Sequence, residues 1–386
     1  MLTTEEAARR LGVKVPTLYA YVSRGLLESH RDPHARGSLF DLDDVEALAA
    51  RSRGGRQTAT RLATITTAVT QLHQDLGPLY RGRRATELAA AASFEEVAEL
   101  LWRSGSEGTA DWGAPDLGPC PLVHTFDRMR WALVMCGATD PLRADLRPSA
   151  VARAARRSAA ALVAAVGAGQ PHDHDHDLER GASIATRLAA RLTASSGAVP
   201  DDAVNAALIL LADHELATST MAVRVAASVR ADPYDALLAG LATLAGPLHG
   251  GASQLAYELL VVAERDGVAR ALNDVLREQR RLPGFGHTVY KSGDPRFAAL
   301  LALAEPLLRD DQRAVLDEVI ALAAAHDVPL PNCDLALAAL SWGTGMPPDS
   351  GRTIFAVARV AGWAAHYLEE LSERPVRFRA RAVYTV

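Results

Sequence analysis

The 386-residue sequence is poor in aromatics, at 5% of its residues, and has no long run of alternating apolar and polar positions. A sheet-built core is therefore not expected. Heavy use of alanine, the best helix former, points to helices. Cysteine is scarce as well. Cys120, Cys136 and Cys333 make an odd number without CxxC spacing, which excludes a disulfide frame or a zinc knuckle and fits reduced thiols. Neither charge sign dominates: 41 Lys and Arg against 46 Asp and Glu leave a net charge of -5. That balance gives no global attraction to nucleic acid or anionic lipid, so any DNA contact has to be local. Long hydrophobic runs are missing too. The most apolar stretch, Ala236 to Ala252, is broken by Gly240, Gly246 and Pro247 and is too short for a bilayer span. The start, MLTTEEAARR, has acidic residues and no apolar core, so no signal peptide is expected. The expectation is a soluble, cytoplasmic chain with no membrane partner, long enough for two or three domains.

Residues 1 to 56 read as a self-contained unit. Thr3 and Glu6 form a capping box before a short helix through Leu11, which Gly12 ends. Pro16 opens a second helix, VPTLYAYVSRG, closed by Gly25. Two short helices around a tight turn are a helix-turn-helix pattern. After a polar stretch (31 to 38) come Leu39 and Phe40, then a helix capped by Asp43 or Asp44. The segment resembles the winged helix-turn-helix of the excisionase and MerR type. One reading is DNA binding through Lys14, Thr17, Tyr19, Arg24 and Arg31, with dimerisation supplying two copies. The other is an adaptor that packs on its own enzyme, since one such unit contacts few phosphates.

ARSRGGRQ (50 to 57) reads as a linker, and from Thr58 onward helix follows helix. SFEEVAELLWRSG (93 to 105) has the period of an amphipathic helix closed by glycine. The run HDHDHD (172 to 177) is expected to be a solvated loop; the competing reading is a divalent-metal site.

Three polar groups stand at breaks between apolar helices: His249 in AGPLHGGA, His287 in RLPGFGHTVYKSGDPR and Asp334 in PLPNCDLAL. Glycine and proline around each let backbone approach a ligand closely. His214, in LLADHELATST, interrupts a strongly apolar helix. Taken singly, each histidine reads as well as a satisfied core residue.

Together the strings resemble the citrate synthase family. They are YRGRRATELAAAASFEEVAELLWRSG (80 to 105), ADHELATSTMAVRVAAS (212 to 228), GPLHGGAS (246 to 253), PGFGHTVYKSGDPRF (283 to 297), NCDLALAAL (332 to 340), FAVARVAGWAAHYLEE (355 to 370) and RARAVYT (379 to 385). Seven strings in order make a specific signal.

The resemblance implies an all-α fold. A large domain would span 57 to 251 with 346 to 386, and a small domain 252 to 345, behind the helix-turn-helix at 1 to 56. It implies condensation of acetyl-CoA with oxaloacetate, with no metal or other cofactor, by an obligate homodimer. His249, His287 and Asp334 match the family's catalytic triad. Asp334 would take the methyl proton, His249 would hydrogen-bond the thioester oxygen, and His287 would polarise the ketone. His214, Arg296, Arg359 and Arg379 match the groups that hold oxaloacetate, Arg379 reaching the other subunit's site. Lys291 matches a position facing the phosphates of CoA. Many family members carry Asn after DHEL where this chain has Ala217, which removes an amide near the oxaloacetate pocket. Two alternatives stay open: a 2-methylcitrate synthase using propionyl-CoA, one methylene larger, and a transcription regulator with a metabolite-sensing body.

Overall fold

The computed structural model describes residues 2–11, 13–23, 26–31, 38–42, 44–45, 65–103, 111–167, 181–193, 201–246, 249–277 and 281–379. The linker, HDHDHD, Gly12, Arg24, Gly25 and Asp43 lie outside the described residues. The chain divides into two units, one to Thr66 and one from Thr67.

The first unit holds β1 (Leu2–Thr3), α1 (Thr4–Leu11), α2 (Val15–Ser23), β2 (His30–Arg31) and β3 (Ser38–Phe40). The capping box is present: the Thr3 amide donates to Glu6 Oε2 at 2.9 Å and the Glu6 amide to Thr3 Oγ1 at 3.4 Å. Strand β3 lies between the other two, antiparallel to both, pairing Leu2 with Phe40 and His30 with Leu39. Ala7, Ala8, Leu11, Leu18, Leu27, Phe40 and Val45 close a small core.

The second unit begins with a small antiparallel sheet, β4 (Thr70–His73), β5 (Gly77–Tyr80) and β6 (Arg83–Arg84). Strands this short carry too few alternations to stand out in the sequence. Helices follow: α3 (Ala85–Ala91), α4 (Phe94–Trp102), α5 (Thr125–Thr139), α6 (Pro148–Ala165), α7 (Ile184–Leu192), α8 (Asp201–Leu211), α9 (Thr218–Ser228), α10 (Pro233–Leu244), α11 (Ala252–Asp266), α12 (Val268–Arg277), α13 (Pro295–Ala304), α14 (Asp310–Ala325), α15 (Cys333–Gly343) and α16 (Ser350–Leu371). Helix α4 has its Ser93–Glu96 capping box but stops earlier than expected. Arg103 takes the left-handed C-cap conformation (φ 53°) in place of a glycine closure at 105. The three cysteines are free.

Helix α16 is apolar around most of its circumference, the pattern of a helix enclosed on all sides. Helices α6, α8, α9 and α10 pack against it. A second core is built by α11, α12, α14 and one face of α15, with Leu260, Leu272, Leu316 and Trp342 inside. The other face of α15 (Ala336, Leu337, Leu340) and part of α13 (Leu300, Ala304) belong to the first core. Breaks between these helices carry the polar side chains of interest. Among the described residues, no helix is long and apolar enough to cross a membrane.

Candidate active site

His214 does not sit within a long helix, as the apolar pattern suggests, but in the break 212–217 between α8 and α9. The break has physical causes. Glu215 adopts a left-handed backbone (φ 54°), and the Tyr80 hydroxyl meets the Ile209 and Asp213 carbonyls at 3.0 and 3.1 Å. Carbonyls left open where a helix ends need such a donor. Asp213 is fully buried and accepts from the Glu215 amide at 3.0 Å. Ala217 is the N-cap of α9 and offers no side-chain cap.

His287 and Asp334 come from two loops laced together. The Gly286 amide donates to Leu330 O (2.8 Å), the Asn332 amide to Gly284 O (2.9 Å) and Asn332 Nδ2 to Gly286 O (2.7 Å). Gly284 is required there: its φ is +80°, and a Cβ would stand 2.8 Å from Leu335 Cβ. Asp334 lies in the first turn of α15, its amide held by the N-cap Asn332 at 2.9 Å.

His287 Nδ1 accepts from the Val289 and Tyr290 amides (3.0 and 3.2 Å), so its proton sits on Nε2. The ring stacks on Tyr290 (centroids 4.5 Å) and meets the His214 ring edge-on at 5.1 Å. His214 Nε2 is 3.2 Å from the Tyr290 hydroxyl. Arg296, buried in the first turn of α13, grips Asp294 with Nε and Nη2 (3.0 and 2.9 Å) and lies 5.3 Å over the Tyr290 ring. His214, His287, Tyr290 and Arg296 thus form one contiguous group.

His249, just before α11, places Nε2 2.8 Å from Ser219 Oγ, which also accepts from Trp363 Nε1 at 3.3 Å. Its ring meets Phe355 edge-on at 5.9 Å, and Arg359 Cζ is 4.5 Å from that same Phe355 ring. Arg359 is buried in mid-α16. Its Nε donates to Leu211 O at 3.0 Å, while Nη1, also buried, has no hydrogen-bond partner among the described residues. Sealing such a donor away without an acceptor is costly.

Burial pushes the Asp334 carboxyl up to about 6, against a partial offset from Arg296. Burial, aided by Arg359, lowers His249 to about 4. Burial and then Arg296 lower His287 to about 4. His214 falls well below its ordinary value through burial first, then Arg296 and Arg359. Arg296 acts on His214, His287 and Asp334, and Arg359 on His214 and His249, so imidazoles held uncharged and a carboxyl able to exchange a proton near neutrality share the same two guanidinium groups.

Lys291 is exposed, its ammonium on the His287 carbonyl (3.0 Å), and Arg379 is exposed beyond α16. In the first unit Lys14, Thr17 and Tyr19 are exposed, on or just before α2, and Arg31 pairs with Ser38 in the sheet. Sequence reasoning passed over Ser219, Tyr290, Asp294 and Asp213. Their only sequence mark is a polar or aromatic residue next to a candidate.

A family model described as the citrate synthase C-terminal domain matches residues 116–381. The chain belongs to the citrate synthase family. A helix-turn-helix domain model matches residues 1–53. The citrate synthase of Saccharolobus solfataricus is 36% identical over 193 residues, 47% of this chain and 51% of that protein, so the match spans about half of its length. The 2-methylcitrate synthase of Mycobacterium tuberculosis is 31% identical over 344 residues, covering 79% of this chain and 84% of the relative. The solved citrate synthase of Thermotoga maritima is similar with a TM-score of 0.69 at 24% identity, over 86% of this chain and 95% of that one. That likeness establishes the family's helical fold for this chain. The site residues from His214 to Arg379 all fall inside the matched region.

Proposed function

We propose that this protein condenses acetyl-CoA with oxaloacetate and water to give citrate and free CoA. One observation carries the reading: a buried Arg359 guanidinium nitrogen with no acceptor among the described residues, next to imidazoles kept neutral. An oxaloacetate carboxylate is the acceptor it lacks, and planar guanidinium groups match carboxylates in geometry and charge. Arg296 and His214 would share the dianion, and Arg379 of a second copy would complete its site.

A thioester methyl group is a very weak acid, so proton removal needs a base and a donor at once. The Asp334 carboxylate would take a methyl proton while His249 donates to the thioester oxygen. Ser219 supports that role. With its oxygen accepting from Trp363, its proton is left for His249 Nε2, which leaves the ring proton on Nδ1 for substrate. The enol carbon would then attack the ketone carbon, and the proton on His287 Nε2 would pass to the ketone oxygen as it becomes the hydroxyl. Water cleaves the resulting citryl thioester, releasing CoA. A base of this kind contributes about 10²–10⁴ in rate and a placed donor about 10²–10³. Lys291 would face the CoA phosphates. The segment 252–345 would be the mobile small domain, closing on 57–251 and 346–386 to exclude water.

Propionyl-CoA is the competing substrate, supported by the likeness to a 2-methylcitrate synthase. One methylene separates the two by about 1–3 kcal/mol. The exposed Lys14, Thr17 and Tyr19 support local DNA contact by a homodimer carrying two copies of the first unit. The test is release of free thiol from each acyl-CoA with oxaloacetate. The wild type turns over, acetyl-CoA gives the higher kcat/KM, and Asp334→Asn lowers kcat by about 10²–10⁴ while leaving any DNA mobility shift unchanged. No thiol release from either substrate would replace the enzyme with a metabolite sensor.

A further inference from the structure

The segment after α16 is pinned at three points. Arg230 donates to the Glu370 and Glu373 carbonyls (3.3 and 2.9 Å), holding the end of the helix. The Val376 amide donates to Ser228 O, at the end of α9, at 2.9 Å. Arg377 sets Nε and Nη2 on the two carboxylate oxygens of Glu370, each at 2.6 Å. Between the pins Val376 takes a left-handed backbone (φ 57°). A β-branched residue accepts that only where the flanking contacts impose it.

The Arg377–Glu370 pair brings a second cation to a carboxylate that already has one. Glu370 is fully buried and already matched by Arg224, also fully buried, whose Nε reaches it at 2.9 Å. Arg224 Nη1 reaches Glu369 at 2.7 Å, and His366 Nδ1 accepts from the same nitrogen at 2.9 Å. Arg377 sits at the rim, its side chain 23% exposed, and Glu370 keeps Arg224 as a partner when Arg377 is removed. What Arg377 adds is a two-pronged attachment for the chain beyond it. Two residues further on stands Arg379, exposed.

We propose that Arg377 is a positioning residue: its grip on Glu370 fixes the C-terminal segment so that Arg379 reaches the oxaloacetate site of a second copy of this chain. The inference rests on the condensing function and the Arg379 role proposed above. Arg377 touches no substrate. It acts by ordering Arg379 before oxaloacetate binds, so that binding does not have to supply the ordering.

The test uses full-length dimers of Arg377→Gln, Arg377→Lys, Arg379→Gln and the double variant Arg377→Gln/Arg379→Gln. In Arg377→Gln the KM for oxaloacetate rises about tenfold, with kcat and the KM for acetyl-CoA near wild type. Arg377→Lys, which keeps one charge-assisted bond, falls between. The double variant is no worse than Arg379→Gln, because an anchor with nothing to deliver has no further effect. Mixed dimers of Arg377→Gln with Asp334→Asn, purified by two tags, regain the wild-type KM. Their one working site receives its Arg379 from the chain with an intact anchor. A KM that stays raised in the mixed dimer overturns the proposal, as does a lowered Tm with unchanged KM. A raised KM in Arg379→Gln with none in Arg377→Gln removes the anchor and spares the proposed function. Absence of wild-type turnover removes both.

Discussion

Gly362 is the position where a single methyl group should disturb the site most. Helix α16 passes the break at 212–213 so closely that the Gly362 amide donates to Ala212 O at 3.0 Å. A Cβ on Gly362 would lie 2.2 Å from Asp213 Oδ1, 2.6 Å from Ala212 O and 2.7 Å from Asp213 Cβ. Ordinary contact needs about 3.5 Å, so the break must retreat by roughly 1 Å. Asp213 cannot simply rotate away, because its Oδ2 holds the Glu215 amide and stands 3.3 Å from His366 Nε2. The shift therefore passes to His214, the next residue, and to Arg359, whose Nε is bonded to Leu211 O. Misplacing binding groups by about 1 Å costs on the order of 10²-fold in rate, and overpacking of this kind destabilises by about 1–3 kcal/mol. Gly362→Ala should thus lower kcat/KM for oxaloacetate by about 10²-fold in the thiol-release assay, chiefly through KM, with a lower urea midpoint. A folded Gly362→Ala protein within about threefold of wild-type kcat/KM would refute the argument that this contact sets the position of His214 and Arg359.

Three further outcomes follow from the geometry of the site and its helices. Asp334 works as a base only when ionised, so kcat should fall as pH drops through about 6. Stability should fall over nearby pH values. His249 and His287 are depressed to about 4 in the folded chain, so the stability they contribute is full above 6.5 and lost as pH falls from 6.5 towards 4. Asp334, raised to about 6, has the opposite sign but is one group against two. The urea midpoint should be lower at pH 5 than at pH 7, and an equal or higher one would contradict these environments. Ala217→Asn restores a side-chain cap to α9 and should stabilise the fold by about 1 kcal/mol, read as a higher Tm. An unchanged Tm would mean that the α9 N-terminus is satisfied in another way.

Much of the organisation could be read from local chemistry. The Thr3–Glu6 box marks a helix start because the pattern and the hydrogen bonds are both local. The mainly helical character followed from alanine-rich, aromatic-poor segments and from the family strings. The strands at 70–84 did not show, since register in so short a hairpin is set by partners rather than by periodicity. The break at 212–217 did not show either. It depends on Tyr80, more than a hundred residues away in sequence, which supplies the hydroxyl that meets the freed carbonyls.

By itself the sequence determined which residue types are available for chemistry and where the locally capped helices begin. Caps, glycines and prolines act within a few residues, so their effect survives without a fold. The tertiary structure alone decided the electrostatic state of those residues. Burial beside Arg296 and Arg359 keeps the imidazoles neutral, and burial raises Asp334. It also decided which polar neighbours, Ser219, Tyr290 and Asp294, orient them. Desolvation and Coulomb forces depend on distance through space, which residues far apart in the chain acquire only once the helices have packed.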